Sequence, residues 1–245
     1  MSDLAADAEK SPQNKIALRA RLLTARRSLS APARAAAAAK IQDQTLDLVR
    51  RKAPRTLAAY VPIGAEPGGP NLPLLLAAAL PEGSRLLLPV LLPDNDLDWA
   101  AFTLPSPTAV PPSPTSADSV RPRSEASSAA GTSRAQHAFP GLRSGPRGLL
   151  EPNGPRLGVD AIREADLVLV PALAVGRDGT RMGRGGGSYD RALARLPTPG
   201  PLIVALLHDG EDIEVVPTDP HDRRVHAVIT PTGGFSLKPD PEWTN

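Results

Sequence analysis

The sequence predicts an α/β domain: three layers, with a mostly parallel central sheet covered by helices on both faces. Apolar runs such as "RTLAAYVP", "RLLLPV" and "ADLVLVP" have the length of strands and no polar alternation, as expected where both sheet faces are buried. Between the first two lies "NLPLLLAAAL", a helix-length run, which gives the strand, helix, strand order of parallel pairing. A chain of 245 residues could form one large α/β domain or two small ones, and 1–245 is taken as one.

The elements follow in order. From Lys15 to Leu29 the periodicity is helical, with Ile16, Ala20, Leu23 and Arg27 on one stripe and Leu18, Leu22 and Leu29 beside it. Ser30 before Ala31-Pro32 is a helix start, because serine can accept from the free N–H groups and proline is tolerated in a first turn. The second helix runs to the residues before Pro54. The strand "RTLAAYVP" then enters a loop, "IGAEPGGP", and "NLPLLLAAAL" is closed by Pro81-Glu82-Gly83. "RLLLPV" and, after the turn-like "PDND", "LDWAAF" are two further strands. Residues 104–147 are rich in Pro, Ser, Ala and Arg with little to bury, and are expected to be a disordered, solvent-exposed insertion. Beyond it come the strand "ADLVLVP", a turn in "ALAVGRDG", a helix from about Ser188 to before Pro197, and the strands "PLIVALLH" and "HAVIT".

Composition narrows the chemistry. With no cysteine there is no disulfide framework, thiolate zinc site or thiol nucleophile. The N-terminus is acidic and polar, unlike a secretory signal, and no apolar run reaches membrane-span length, so a cytoplasmic protein without membrane contact is expected. Net charge is only +2, yet residues 1–60 hold twelve Lys/Arg against five Asp/Glu, a bias toward phosphate-bearing ligands or nucleic acid.

The stretch "TRMGRGGGSYDRAL" concentrates what chemistry the sequence advertises. Gly183, Gly185, Gly186 and Gly187 let backbone N–H groups converge on an anion, and a helix starting just after them adds its own free N–H groups. Arg181 and Arg184 bring positive charge, and Asp190 in the first helical turn is either a Mg²⁺ ligand against phosphate oxygens or a first-turn acid favoured by the helix dipole. Neither the Walker A nor the dinucleotide pattern fits. The glycines alone therefore leave a purely structural turn and an anion cradle both open.

Taken with its surroundings, "RMGRGGGSYDR" resembles the signature of the 5-formyltetrahydrofolate cyclo-ligase (methenyltetrahydrofolate synthetase) family. "KIALR", "YVPIGAEPG", "GLLEP", "DLVLVPALAVGRDGTRMG" and "HDRRVHAVIT" are similar to further family elements in the same order. The resemblance implies a NagB/RpiA-like fold and an ATP- and Mg²⁺-dependent closure of 5-formyltetrahydrofolate to 5,10-methenyltetrahydrofolate. It implies ATP contacts from Lys15, Arg19, Arg181, Gly183, Arg184, Gly185, Gly186, Gly187, Ser188 and Tyr189. Folate contacts would come from Tyr60, Val61, Glu66, Trp99, Arg184, Gly186 and Ser188, and metal binding from Asp190 and Asp222. Arg184, Tyr189 and Asp190 are the expected catalytic residues. Glu151 is placed near the site, and His208 and His221 are read as structural or surface groups. Ser188 stands where the family usually has an aromatic, and His226 where an acid is common, which leaves Asp222 as the second carboxylate. A reduced folate is the expected partner, with no nucleic acid, and the chain is expected to be a monomer or weak homodimer. Two rivals remain at this stage: another phosphate-ligand enzyme on a similar sheet, such as a sugar-phosphate isomerase or small phosphotransferase, and a non-enzymatic nucleic-acid binder.

Overall fold

A computed structural model describes residues 12–104, 140–219 and 222–239. Helix α1 spans Pro12–Ser28 and α2 spans Ala31–Lys52. Ser30 caps α2, its hydroxyl accepting from the Ala33 N–H at 3.3 Å, and Pro32 sits in the first turn. Strand β1 (Thr56–Ala58) is followed by α3 (Leu72–Ala79), β2 (Arg85–Leu91) and β3 (Leu97–Phe102). After β4 (Leu142–Ser144) and β5 (Leu150–Pro152) come β6 (Leu167–Pro171), β7 (Ala174–Gly176) and β8 (Arg181–Met182). Helix α4 (Ser188–Leu193), β9 (Leu202–Leu206), β10 (Asp212–Ile213), β11 (Ala227–Thr230) and β12 (Gly234–Leu237) complete the order.

The main sheet runs β12-β11-β9-β6-β1-β2-β3. Its five inner strands are parallel, and β3 and β12 are antiparallel edges. The predicted strand "LDWAAF" thus forms as β3 but returns alongside β2 through the "PDND" turn, so it blunts one edge instead of extending the parallel set. The other edge, β12, buries too little to show a hydrophobic period, and the sequence offers no signal for it.

Side chains along each parallel strand alternate between two cores, as the two-residue period requires. Leu57, Leu86, Leu88, Leu169, Leu206 and Ile229 face α2 and α3, packing on Ile41, Leu48, Val49, Leu72 and Leu76. Ala58, Leu87, Val168, Val170, Ala205 and Val228 face the other way, toward Ile162 of a 3₁₀ turn and Ala192 and Leu193 of α4. The architecture is a helix, sheet, helix sandwich with one thin layer, as the continuous apolar strands predict.

Three expectations are corrected. The predicted stripe of α1 is not its buried face: Ile16 is 64 % exposed, while Lys15, Leu22 and Arg26 are buried. Helix α1 lies on a separate three-stranded sheet, β10-β7-β8, where Leu22 meets Leu173, Ala174, Met182 and Val216. The charged ends of this face tolerate burial because each has an ionic partner, a compensation that periodicity does not register. The segment "ALAVGRDG", read as a turn, supplies β7 and then turns into β8. Of the expected insertion, residues 105–139 lie outside the described residues, but 140–147 are structured: β4 pairs with β5 in a hairpin.

Candidate active site

Successive strands are laid down on opposite sides of β1. Strand β2 is its neighbour on one side, and β6, β9 and β11 build outward on the other. Such a reversal opens a crevice at the carboxyl ends of the strands, where ligands bind in open α/β sheets. A cleft of about 960 Å³ lies there, with Tyr60 and Val61 beyond β1 on one flank and Pro171 and Ala172 at the end of β6 on the other. That is at the upper end of the usual range for small-molecule sites, about 300–1,000 Å³.

One end of the cleft is ionic. Lys15 of α1 donates to Asp219 Oδ2 at 2.7 Å and to Asp222 Oδ2 at 2.5 Å. Arg181 donates to Asp190 Oδ1 at 2.5 Å, and the backbone N–H of Arg223 reaches the same oxygen at 3.3 Å, so Asp190 and the Asp222 loop share one wall. Arg19 donates through Nε to the carbonyl of Gly183 at 3.1 Å, beneath the glycine-rich loop. Glycine is needed in that loop for two reasons. A β-carbon on Gly183 would stand 2.7 Å from an Arg181 nitrogen, and Gly185 has φ +103°, which other residues rarely adopt.

In the middle, Glu66 is held by the Ile63 N–H at 3.0 Å and by Arg184 across the cleft at 3.3 Å. Burial pushes the Glu66 carboxyl above the ordinary glutamate value, against the opposing pull of the Ile63 N–H and Arg184. The Tyr189 and Tyr60 phenols are likewise pushed up, by burial first and by the Glu66 charge second, so both remain neutral donors at physiological pH. Tyr60 uses its hydroxyl on the Pro67 carbonyl at 2.6 Å, which ties down the loop carrying Glu66. The far end, near β2, is apolar: Pro89, Leu91, Leu97, Leu149 and Leu150 line it.

Of the residues singled out in the sequence, Lys15, Arg19, Tyr60, Val61, Glu66, Asp222 and the run from Arg181 to Asp190, except Met182, line this one cleft. Trp99 does not. It is fully buried in one core cluster with Leu87, Leu97, Ile162 and Val168, and its indole N–H has no partner among the described residues. Glu151 does not line the cleft either. It is buried and accepts from the Leu91 N–H at 3.1 Å. His226 accepts from the Ile203 N–H at 3.0 Å, at the entry of β9 and so at the opposite end of the strands from the cleft. His208 is structural, its Nε2 3.0 Å from the Ala65 carbonyl oxygen, while His221 lies outside the described residues. Arg181 is only 2 % exposed and already engaged with Asp190 and the Pro171 carbonyl, so it positions Asp190 from below the loop.

Sequence reasoning missed Asp219, which pairs with Lys15 beside Asp222, and Arg26, which lines the cleft floor. Arg26 donates to Glu211 at 2.6 and 2.7 Å and to the Ala172 carbonyl. A signal for it existed: Lys15, Arg19, Leu22 and Arg26 recur at helical spacing on one face.

Mg²⁺ is held elsewhere by one or two carboxylates together with substrate phosphates. The donor set here fits that pattern: Asp190 and Asp222 are hard oxygen donors on one wall, and among the described residues no group of three or more His, Asp or Glu could cage a metal by itself.

The sequence profile of the 5-formyltetrahydrofolate cyclo-ligase family matches residues 11–231. A 5-formyltetrahydrofolate cyclo-ligase of Mycolicibacterium smegmatis is 36 % identical over 230 residues, covering 92 % of this chain and 97 % of that protein. The chain belongs to the 5-formyltetrahydrofolate cyclo-ligase family. The matched span runs from α1 to β11 and contains every residue lining the cleft. A cyclo-ligase of Arabidopsis thaliana, described as mitochondrial, is 37 % identical over 83 residues, 30 % of each chain. The fold is shared with the 5,10-methenyltetrahydrofolate synthetase of Aquifex aeolicus, with a TM-score of 0.62 at 23 % identity over 91 % of both chains. It is shared also with that of Mycoplasma pneumoniae, with a TM-score of 0.57 at 18 % identity over 87 % of this chain and 96 % of the other. Among the described residues no helix is long and apolar enough to cross a membrane.

Proposed function

We propose that this cleft converts 5-formyltetrahydrofolate to 5,10-methenyltetrahydrofolate, with ATP as phosphoryl donor and Mg²⁺ as its counter-ion. The observation that carries the reading is the polarity of a single cleft: cations and carboxylates at one end, a buried carboxylate in the middle, apolar wall beyond. The ionic end suits a metal-bound triphosphate, with Lys15, Arg19, Arg184 and the glycine-rich run from Gly183 to Ser188 lining it. Mg²⁺ would be held by Asp190 and Asp222 and would draw charge from the phosphate oxygens. The Glu66 carboxylate can accept two N–H groups of a pterin, and Tyr60 and Val61 offer it a flat apolar floor. The single-domain organisation and the NagB/RpiA-like type of the fold belong to the same reading.

The chemistry requires little from the protein beyond placement. The formyl oxygen takes the terminal phosphoryl group of ATP, breaking the bond to ADP. N10 then attacks the activated formyl carbon and loses its proton, and the carbon–oxygen bond breaks to release phosphate. Arg184 bridges the two halves of the cleft, close to Glu66, and so is placed to stabilise the transferring phosphoryl charge. Tyr189 is a neutral phenol against both cores, suited to positioning. Asp190→Asn, which keeps an oxygen acceptor for the buried Arg181, should leave the fold unchanged by near-ultraviolet circular dichroism and sharply reduce Mg²⁺-dependent turnover. Turnover at the wild-type rate would take Asp190 out of the site. Turnover of a sugar phosphate in place of the folate would favour the isomerase rival.

A further inference from the structure

We propose that Arg147 binds the glutamyl carboxylate of the substrate's tail and so sets preference among tailed folates. This rests on the cyclo-ligase reading of the cleft and deepens it. Arg147 lies in the connection between β4 and β5 and lines the cleft together with Leu149 and Leu150. It is exposed and has no ion-pair or hydrogen-bond partner among the described residues, unlike Lys15, Arg19, Arg181 and Arg184, whose charges are engaged near the phosphate end.

Its position follows from topology. The β4–β5 hairpin packs on β2, at the sheet edge away from the strands that carry the ionic wall. Glu151 fastens the hairpin there by accepting from Leu91 N–H, and Gly145 packs closely on it, a β-carbon there standing 2.6 Å from the Glu151 carboxyl carbon. The hairpin therefore presents Arg147 beyond the apolar wall. A reduced folate has its pterin at one end, an aromatic ring in the middle and carboxylates at the other. With the pterin at Glu66 and the ring along the apolar wall, the carboxylates arrive at Arg147. The backbone supports the assignment: Arg147 has φ +56°, a left-handed conformation unfavourable for a residue with a β-carbon. Strain of this kind accumulates at ligand-binding positions.

That conformation also supplies a clean test. Arg147→Gly removes the guanidinium and relieves the backbone, so the variant should melt at or above the wild-type temperature. Its KM for 5-formyltetrahydrofolate should rise about three- to fivefold, the scale of one exposed charge pair, with kcat and the KM for ATP unchanged. With 5-formyltetrahydropteroate, which lacks the glutamate, variant and wild type should have the same KM. Added salt should shrink the wild-type preference for the tailed substrate. Arg147→Lys should keep part of it. An unchanged KM for the tailed substrate, an equal rise for both substrates, or a rise in the KM for ATP would each overturn the proposal. If wild-type protein converts neither substrate, the cyclo-ligase reading fails first and this inference falls with it.

Discussion

Glu66 shows how a single carboxylate is prepared for a substrate. Its burial penalises the charged form, while Ile63 N–H and Arg184 favour it, and burial prevails. A carboxyl whose folded pKa lies above its unfolded value binds more protons in the native state, so stability from this group falls as pH rises through that interval. Glu66→Gln should therefore melt at or above the wild-type temperature at neutral pH while raising the KM for the folate about tenfold or more, since the amide cannot accept both pterin N–H groups. In the wild type, folate affinity should weaken on acidification at a pH above the ordinary glutamate pKa; loss only near or below that pKa would show that the group is not perturbed. Lys15, Glu66, Asp190 and the glycines were legible in the sequence because short motifs carry them. Asp219 was not, because its partner lies 204 residues away in the chain, and Arg26 was signalled only by its helical spacing from Lys15, Arg19 and Leu22, its partner Glu211 lying 185 residues away.

Helix α1 gathers the cations that serve the ionic end, and its docking decides where Lys15 and Arg19 stand. Arg26 and Glu211, with side chains 5 % and 6 % exposed, join α1 to the connection between β9 and β10. Removing one member of a buried pair leaves the other uncompensated, at a cost of about 3–5 kcal/mol. Arg26→Met should lower stability by roughly that amount in urea unfolding and raise the KM for ATP as the helix loosens; an unchanged midpoint would make the pair an idle contact. The element also explains a misreading. Leu22 is apolar and buried and Leu18 and Leu23 pack beside it, but Lys15 and Arg26 complete the buried face, so a hydrophobic stripe drawn through Ile16 is turned away from it at that end. Strands β1, β2, β6, β9 and β11 posed no such difficulty, since burial on both faces leaves only apolar residues to choose from. The direction of β3 depends on the "PDND" turn, which fixes that strands meet but is not by itself decisive between a hairpin and a crossover.

Across the whole molecule, the chain leaves the sheet after β3 and returns at almost the same place. A β-carbon on Gly141 would lie 3.1 Å from the Thr103 carbonyl oxygen, and Asn153 N–H donates to the Gly141 carbonyl at 3.0 Å. The stretch between them closes a loop whose ends are fixed by β3 and β5. Deleting residues 106–138 and joining the ends with a short glycine linker should thus leave kcat and both KM values within about twofold, because loop-closure cost changes slowly with length. A cut extending to Ser144 should impair folate binding, because it removes β4 and frees Arg147. Equal loss from both deletions would assign the 106–138 segment a role in the site.

The account as a whole stands on one cleft joining a triphosphate end to a folate end. Mixing the purified protein with 5-formyltetrahydrofolate, ATP and Mg²⁺ and following the absorbance of the methenyl product tests that most directly. The chromophore should appear only when all three are present, with ADP and phosphate released in equal amounts. A folded protein that forms no methenyl product, or forms it at the same rate without ATP, would contradict the account.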